Sequence, residues 1–204
     1  MKTIFKTIST ITLVATLVLS ANNSSAQAFE EGTSSASIGY GFVNFGNAVL
    51  NAYESEAGFT ASTLGPLFAK YEYAVSDKFG IGLNVSFLSG KAEWTSEDFN
   101  GTSTDIYNNS VKRTGYNIMM RFNWHFGDHD IIDPYFGLAA GYRSNNWEFT
   151  STDPDFVSTE TGNLIPFGIE STFGTRFLFT DNLGAYVELG LARAFLQVGL
   201  TGKF

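Results

Sequence analysis

The sequence LQVGLTGKF, residues 196–204, alternates two kinds of side chain from one position to the next. Leu196, Val198 and Leu200 would point to one side of an extended chain, and polar or glycine residues to the other. A period of two residues is typical of a β-strand whose faces meet different surroundings. Because chain ends usually fray, a strand that runs to Phe204 needs a neighbouring strand to hold it.

The same alternation recurs through the rest of the chain after residue 33, where no amphipathic helix is predicted. The predicted strands cover residues 34–45, 64–76, 79–90, 112–126, 134–149, 164–179, 183–192 and 194–204. Short turns follow the second, fourth and sixth strands. Long polar stretches at 46–63, 91–111 and 150–163 follow the first, third and fifth, and are predicted to be loops. Short turns on one side and long loops on the other are typical of a transmembrane β-barrel.

The two faces of the predicted strands favour a membrane barrel over a soluble β-sandwich. The apolar face is rich in aromatic residues, and the polar face is rich in glycine, which suits the crowded interior of a small barrel better than a solvated surface. Aromatic side chains near the short turns predict a girdle at a membrane interface. These residues are Tyr71, Tyr73, Phe79, Trp124, Phe126, Phe177 and Phe179. We therefore predict an all-β fold, an eight-stranded antiparallel up-and-down transmembrane β-barrel.

Residues 1–28 are predicted to be a secretory signal peptide, and residues 29–204 the barrel domain. Lys2 and Lys6 precede a short apolar run, and Ala26-Gln27-Ala28 matches the small-residue pattern of a cleavage site, after Ala26 or Ala28. An uncleaved membrane anchor is the alternative, but the run is shorter than the ~20 residues of a spanning helix. The absence of cysteine excludes disulfides and makes a lipid anchor on this segment unexpected.

Composition and motifs argue against several function classes. The net charge of −8 argues against a nucleic-acid-binding protein, because such proteins usually carry a basic surface. Neither His125 nor His129 is accompanied by a nucleophile motif, so no catalytic residue and no cofactor is predicted. His129 lies between two aspartates, and the 150–163 stretch carries Asp153, Asp155 and Glu160. Cation binding there is an alternative, but solvated turns and loops are the favoured interpretation, and no metal ligand is assigned.

Charged side chains on the polar face are predicted to form a network inside the barrel. These residues are Lys70, Glu72, Arg121, Arg143, Glu170, Arg176 and Glu188. Buried charges are costly unless paired, and four cations with three anions are nearly neutral together. We expect a salt-bridge network that plugs the lumen, the interior of the barrel, with Arg143 and Glu170 in contact.

Two pathways through the lumen remain as alternatives to the plug. The charged face could line a narrow pore for small solutes. Phe68, Met119 and Leu178 are also predicted to face inward and could line a path for small apolar molecules, although simple packing is the commoner role of such residues.

The signal peptide, the eight alternating strands, the arrangement of turns and loops and the ending LQVGLTGKF together resemble small outer-membrane β-barrel proteins of Gram-negative bacteria. The resemblance is to the OmpA/OmpX-like and OmpW-like porin-type families. It implies a multi-pass outer-membrane location with both termini in the periplasm, and contact with outer-membrane lipid and lipopolysaccharide. The implied role is structural or interactive at the cell envelope. A lipid-modifying enzyme is a remote alternative, and the sequence identifies no partner for the extracellular loops.

In these families the last strand carries a signal read by the barrel-assembly machinery. The resemblance places that signal on Leu196, Val198, Leu200 and Phe204. Gly202 departs from the pattern, because a larger apolar residue is common at its position.

Overall fold

The computed structural model describes residues 28–44, 46–99 and 103–204. Apart from Ala28, the predicted signal peptide lies outside the described residues. The strands are β1 (Ser34–Phe42), β2 (Ala57–Ser76), β3 (Phe79–Phe99), β4 (Thr104–His125), β5 (Ile132–Ser151), β6 (Thr159–Thr161), β7 (Phe167–Leu178), β8 (Leu183–Leu191) and β9 (Leu196–Lys203). A short helix, α1 (Gly46–Asn51), follows β1.

All the strands except the short β6 form one closed antiparallel barrel. Each strand pairs with the next along the wall, β5 pairs with β7, and β1 closes the circle against β9. The register of the closing pair runs from Ser35 opposite Lys203 to Phe42 opposite Leu196. The Phe204 N–H donates to the Ser34 carbonyl at 2.9 Å, and the Ser34 N–H donates to the Phe204 carbonyl at 2.8 Å. The prediction of an eight-stranded antiparallel barrel is confirmed, and the end of the chain is held by β1.

The prediction of loops at 46–63 and 91–111 is wrong for much of their length, because strands continue through them. Strands β2, β3, β4 and β5 are 20 to 22 residues long, and the β3–β4 ladder continues to Phe99 opposite Thr104. These stretches are polar over most of their length because they extend beyond the apolar part of the wall, so hydropathy alone marks them as loops. Backbone pairing with the neighbouring strand still satisfies their N–H and C=O groups. We call the extension, residues 57–64, 90–99, 104–113, 144–151 and β6, the outer sheet.

Helix α1 packs on the outer sheet and was not predicted from the sequence. Leu50 of α1 is fully buried against Ala92 and Val111. Beside this cluster the rings of Tyr53 and Trp94 stack with their centroids 3.9 Å apart. Six residues are too few to show a helical period in the sequence. The helix is therefore stabilised by the burial of Leu50, a tertiary contact that the sequence pattern does not predict.

None of the helices in the described part of the chain has the length and hydrophobicity of a membrane-spanning segment.

The outer surface of the wall is an apolar belt. In its middle, Leu83 is 48% exposed, Met120 55% and Ile169 65%. The seven aromatics predicted for the short-turn end are all exposed on this surface. A second group of exposed aromatics, missed by the sequence analysis, lies toward the loop end: Phe42, Phe87, Tyr116, Tyr142 and Phe167. On β3 the belt runs from Phe79 to Phe87, close to the ~9–11 residues with which a tilted strand crosses a bilayer.

Glycines on the inner face make room for two large side chains in the lumen. A Cβ atom on Gly174 would lie 2.7 Å from the ring of Tyr135, and one on Gly39 would collide with the Tyr186 hydroxyl. Tyr135 and Tyr186 are almost completely buried. The glycine-rich face is therefore the inner face, as an eight-stranded barrel filled by its own side chains requires.

Candidate functional site: the charged lumen

The seven charged side chains predicted to share the lumen all lie on the inner face. Six of them have side chains less than 10% exposed, and Arg143 is 24% exposed at the loop end. They form three layers at different depths of the lumen, and each layer is centred on one carboxylate. Glu72 lies near the short turns, Glu188 lies at mid-height and Glu170 lies toward the loops.

The middle layer is organised by Glu188 on β8. Lys70 Nζ lies 2.8 Å from one carboxylate oxygen, and Arg121 Nη2 lies 2.8 Å from the other. The hydroxyl of Tyr135 also donates to Glu188 at 2.7 Å. Arg121 donates further to Thr172 Oγ1 at 2.9 Å. One carboxylate thus ties four strands together across the lumen, and charge-assisted bonds of this kind are the strongest hydrogen bonds in proteins.

The layer near the short turns joins Glu72 to Arg176, His125 and Asp133. Arg176 forms an ion pair with Glu72, and its other terminal nitrogen lies 3.4 Å from Asp133 Oδ2. His125 Nδ1 lies 2.6 Å from Asp133 Oδ1, and its Nε2 lies 3.0 Å from Glu72 Oε1. The ring of Phe29 stacks on His125 with centroids 3.5 Å apart, so the chain before β1 covers this end of the lumen.

The surroundings of His125 do not form a hydrolase-type site. Carboxylates engage both of its ring nitrogens, whereas a general base needs one nitrogen facing a hydroxyl or thiol. In the part of the chain that the structure describes, no group of three or more His, Cys, Asp and Glu side chains could hold a metal ion.

The layer toward the loops brings Arg143 and Glu170 together. Arg143 Nη2 donates to Glu170 Oε1 at 2.7 Å, and the same carboxylate accepts from Asn84 at 2.8 Å and Asn117 at 2.9 Å. Glu170 is register partner to Ala139, four residues before Arg143 along β5. The contact is therefore diagonal, and the long arginine side chain spans the difference in depth.

Several buried charged residues were missed by the sequence analysis: Arg113, Asp133, Arg193 and Lys203. Arg113 has the same inward parity on β4 as Arg121, and Lys203 has the same parity as Thr201 on β9, so alternation could have found both. Asp133 was assigned to a turn, but β5 begins one residue before it. Arg193 lies between β8 and β9, where alternation gives no signal. Three cations and one carboxylate are added, so the prediction of a nearly neutral lumen is wrong.

The three apolar residues predicted to face inward are all buried. Phe68, Met119 and Leu178 are 8% exposed or less. Lys70 Nζ lies 5.5 Å from the centre of the Phe68 ring, and 4.4 Å from that of Tyr186. Phe68 therefore packs beside the cation of the middle layer, which favours packing over a path for apolar molecules.

Two cavities lie along the lumen, and each has a volume of about 10 Å³. One lies at the short-turn end, between Phe29 and Arg176, and the other lies at mid-height beside Glu188. A cavity of this size holds about one water molecule.

No protein-family model and no curated protein matches the chain.

Several solved structures are similar to this chain in fold. The attachment invasion locus protein Ail of Yersinia pestis has 15% sequence identity and a TM-score of 0.44, over 85% of this chain and 99% of that one. The N-terminal β-barrel domain of Pseudomonas aeruginosa OprF has 12% identity and a TM-score of 0.43, over 86% and 98%. OprG from Pseudomonas aeruginosa has 13% identity and a TM-score of 0.40, over 86% and 97%. The likeness is one of fold alone.

Proposed function

We propose that this chain is an integral outer-membrane protein whose barrel is closed to solutes and whose outer sheet serves an interaction or structural role at the cell envelope. Both ends of the barrel domain, and the short turns that follow β2, β4 and β7, lie at one end of the barrel. In this proposal that end faces the periplasm. The apolar belt contacts outer-membrane lipid and lipopolysaccharide, and the seven predicted aromatics mark the periplasmic interface.

The observation that carries the proposal is the network of paired charges across the lumen. Glu188 alone binds partners from β2, β4 and β5, and so joins opposite walls of the barrel. A conducting pore needs a continuous water-filled path, whereas the cavities at the short-turn end and at mid-height are each the size of a single water molecule. The narrow porin is therefore the less favoured function.

The outer sheet supports the interaction role. Strands β2 to β5 are about twice the length that a bilayer requires, and the extra length projects from the loop end. The cluster of Leu50, Ala92 and Val111 gives this projection an apolar core of its own. A projection with a packed core can present fixed side chains to a partner, which a disordered loop cannot do.

We expect the refolded protein to show no single-channel conductance in a planar bilayer, because paired charges fill the lumen. Insertion would be verified by the altered gel mobility of the unboiled protein. In a matched variant, Arg121→Ala with Glu188→Ala, both sides of the middle ion pair are removed, and small steps should appear. Reproducible steps from the unaltered protein would reject the closed barrel and favour the porin.

Removal of Phe204 should lower the amount of folded barrel in cells much more than it lowers refolding in detergent. The resemblance assigns this residue to the signal for the assembly machinery, which only cells supply. Its backbone also pairs with Ser34, so Phe204→Ala is the matched variant that keeps those two hydrogen bonds. The fraction of heat-modifiable protein measures both yields. Equal losses in cells and in detergent would assign Phe204 a purely structural role.

A further inference from the structure

We propose that Arg113, Arg143 and Arg193 form a binding site for a phosphate or sulfate group at the loop end of the lumen. The site is independent of whether the barrel conducts, because it lies beyond the middle layer, toward the outer sheet. Its three guanidinium groups come from β4, from β5 and from the turn between β8 and β9.

Arg113 is held by neutral groups only. Its Nη1 donates to Asn44 Oδ1 at 3.1 Å, and its Nη2 donates weakly to Asn145 Oδ1 at 3.4 Å. Its guanidinium carbon lies 5.1 Å from the centre of the Trp147 ring. The residue is only 9% exposed. An arginine that is buried without an anion is costly, and this one is arranged to face an anion that the chain does not supply.

Arg193 is likewise buried and held by hydrogen bonds to neutral groups. Its Nε donates to Asn117 Oδ1 at 2.7 Å, its Nη1 to Asn145 Oδ1 at 2.9 Å and its Nη2 to the Ser144 carbonyl at 3.1 Å. Burial, together with the charges of Arg143 and Arg113, lowers the pKa of Arg193 to about 10. Arg143 and Arg113 are thus each close enough to Arg193 to repel its charge. The same amide oxygen of Asn145 accepts from both Arg113 and Arg193, which fixes their spacing.

The carboxylate of Glu170 acts on the cluster, but Arg143 and two asparagines already engage it. Within the described residues, neither Arg113 nor Arg193 has a carboxylate within 4.0 Å. All 20 acidic residues of the sequence lie in the described part of the chain, because residues 1–27, 45 and 100–102 contain no Asp or Glu. The surplus of positive charge is therefore a property of the site itself.

Two hydrogen-bond donors without a partner favour an oxyanion as the ligand. Arg113 Nε and Arg143 Nε are buried and have no hydrogen-bond partner among the described residues. Guanidinium groups bind tetrahedral oxyanions through parallel N–H donors, and a phosphate or sulfate would neutralise the surplus charge. The partial exposure of Arg143 places the entrance at the loop end.

The test is thermal unfolding of the refolded protein in zwitterionic detergent, with inorganic phosphate or sulfate titrated against chloride at constant ionic strength. The unboiled compact band on a gel measures the folded fraction. We expect both anions to raise the unfolding temperature to a plateau. Arg113→Gln and Arg193→Gln should each weaken the apparent affinity at least tenfold. Because Arg113→Gln removes a repelling charge and only two long hydrogen bonds, this variant should equal or exceed the parent in stability without added anion.

Lys112→Gln is the matched control, because Lys112 lies next to Arg113 in sequence, is exposed and is paired with Glu148. It should keep the full response. Should one glutamine variant fail to fold, Arg113→Lys replaces it. The lysine keeps the charge but loses the parallel N–H donors of the guanidinium group, so anion binding should still weaken. Phosphatidic acid added to the micelles offers the same phosphate group from the lipid side and should have no effect, because the arginines face inward. A linear rise with anion that all variants share, a response unchanged by Arg113→Gln or Arg193→Gln, or protection by phosphatidic acid alone would overturn the proposal.

Discussion

Glu188→Gln is expected to lower the free energy of unfolding by about 3–5 kcal/mol, the usual cost of removing one partner of a buried ion pair. The carboxylate of Glu188 faces Lys70 and Arg121, both at 2.8 Å, and accepts the Tyr135 hydroxyl. The glutamine amide keeps the shape of the side chain, but leaves two buried cations without a counter-charge. Urea unfolding in lipid vesicles, followed by tryptophan fluorescence, measures the change.

Glu148→Gln is the control for the loss of a carboxylate. Glu148 pairs with Lys112 at 3.7 Å, with both side chains about half exposed. Exposed pairs contribute at most about 1 kcal/mol, so this variant should differ little from the unaltered protein. If Glu188→Gln were as mild as Glu148→Gln, the middle layer would not be a stabilising network.

Leu83→Arg is expected to lower the free energy of unfolding in a bilayer by about 2–4 kcal/mol, the cost of a charge on the lipid face of a barrel at the membrane midplane. Leu83 lies midway between Phe79 and Phe87 on β3 and is 48% exposed on the outer surface. If this surface faced water, the arginine would hardly change the free energy of unfolding, so a loss of stability measures contact with lipid. The same urea titration in vesicles applies.

Ser89→Arg is the matched variant on the same face of the same strand. Ser89 lies two residues beyond Phe87, where the cost of a charge falls to about 0–1 kcal/mol. Equal stabilities of the two variants would show that the exposed apolar surface is not a membrane belt.

The confirmed part of the fold prediction rests on alternation along single strands. A period of two residues separates outward-facing from inward-facing positions without knowledge of the neighbouring strands. Tyr116, Ile118, Met120 and Phe122 illustrate this, because all four are exposed on the outer surface. The same parity places Arg121 and Glu188 inside. Alternation failed beyond the belt, where the apolar face of β3 and β4 shrinks to a small cluster around Ala92 and Val111 although the backbone ladder continues.

Contacts between side chains of different strands could be predicted only roughly. The stagger of the barrel places Glu170 opposite Ala139, and only side-chain length joins it to Arg143. Arg193 lies in a turn that carries no periodic signal, yet it reaches Asn117 on β4.

The sequence by itself determined an eight-stranded barrel with an apolar exterior and a charged lumen, because hydrophobic alternation and turn length are local properties of the chain. Only the tertiary structure decided which charges meet and which stay without a counter-charge. Closure of the wall sets the stagger between strands, and stagger sets the depth of every inward side chain. That depth pairs Glu188 with two cations at mid-height, and leaves Arg113 and Arg193 facing neutral amides at the loop end.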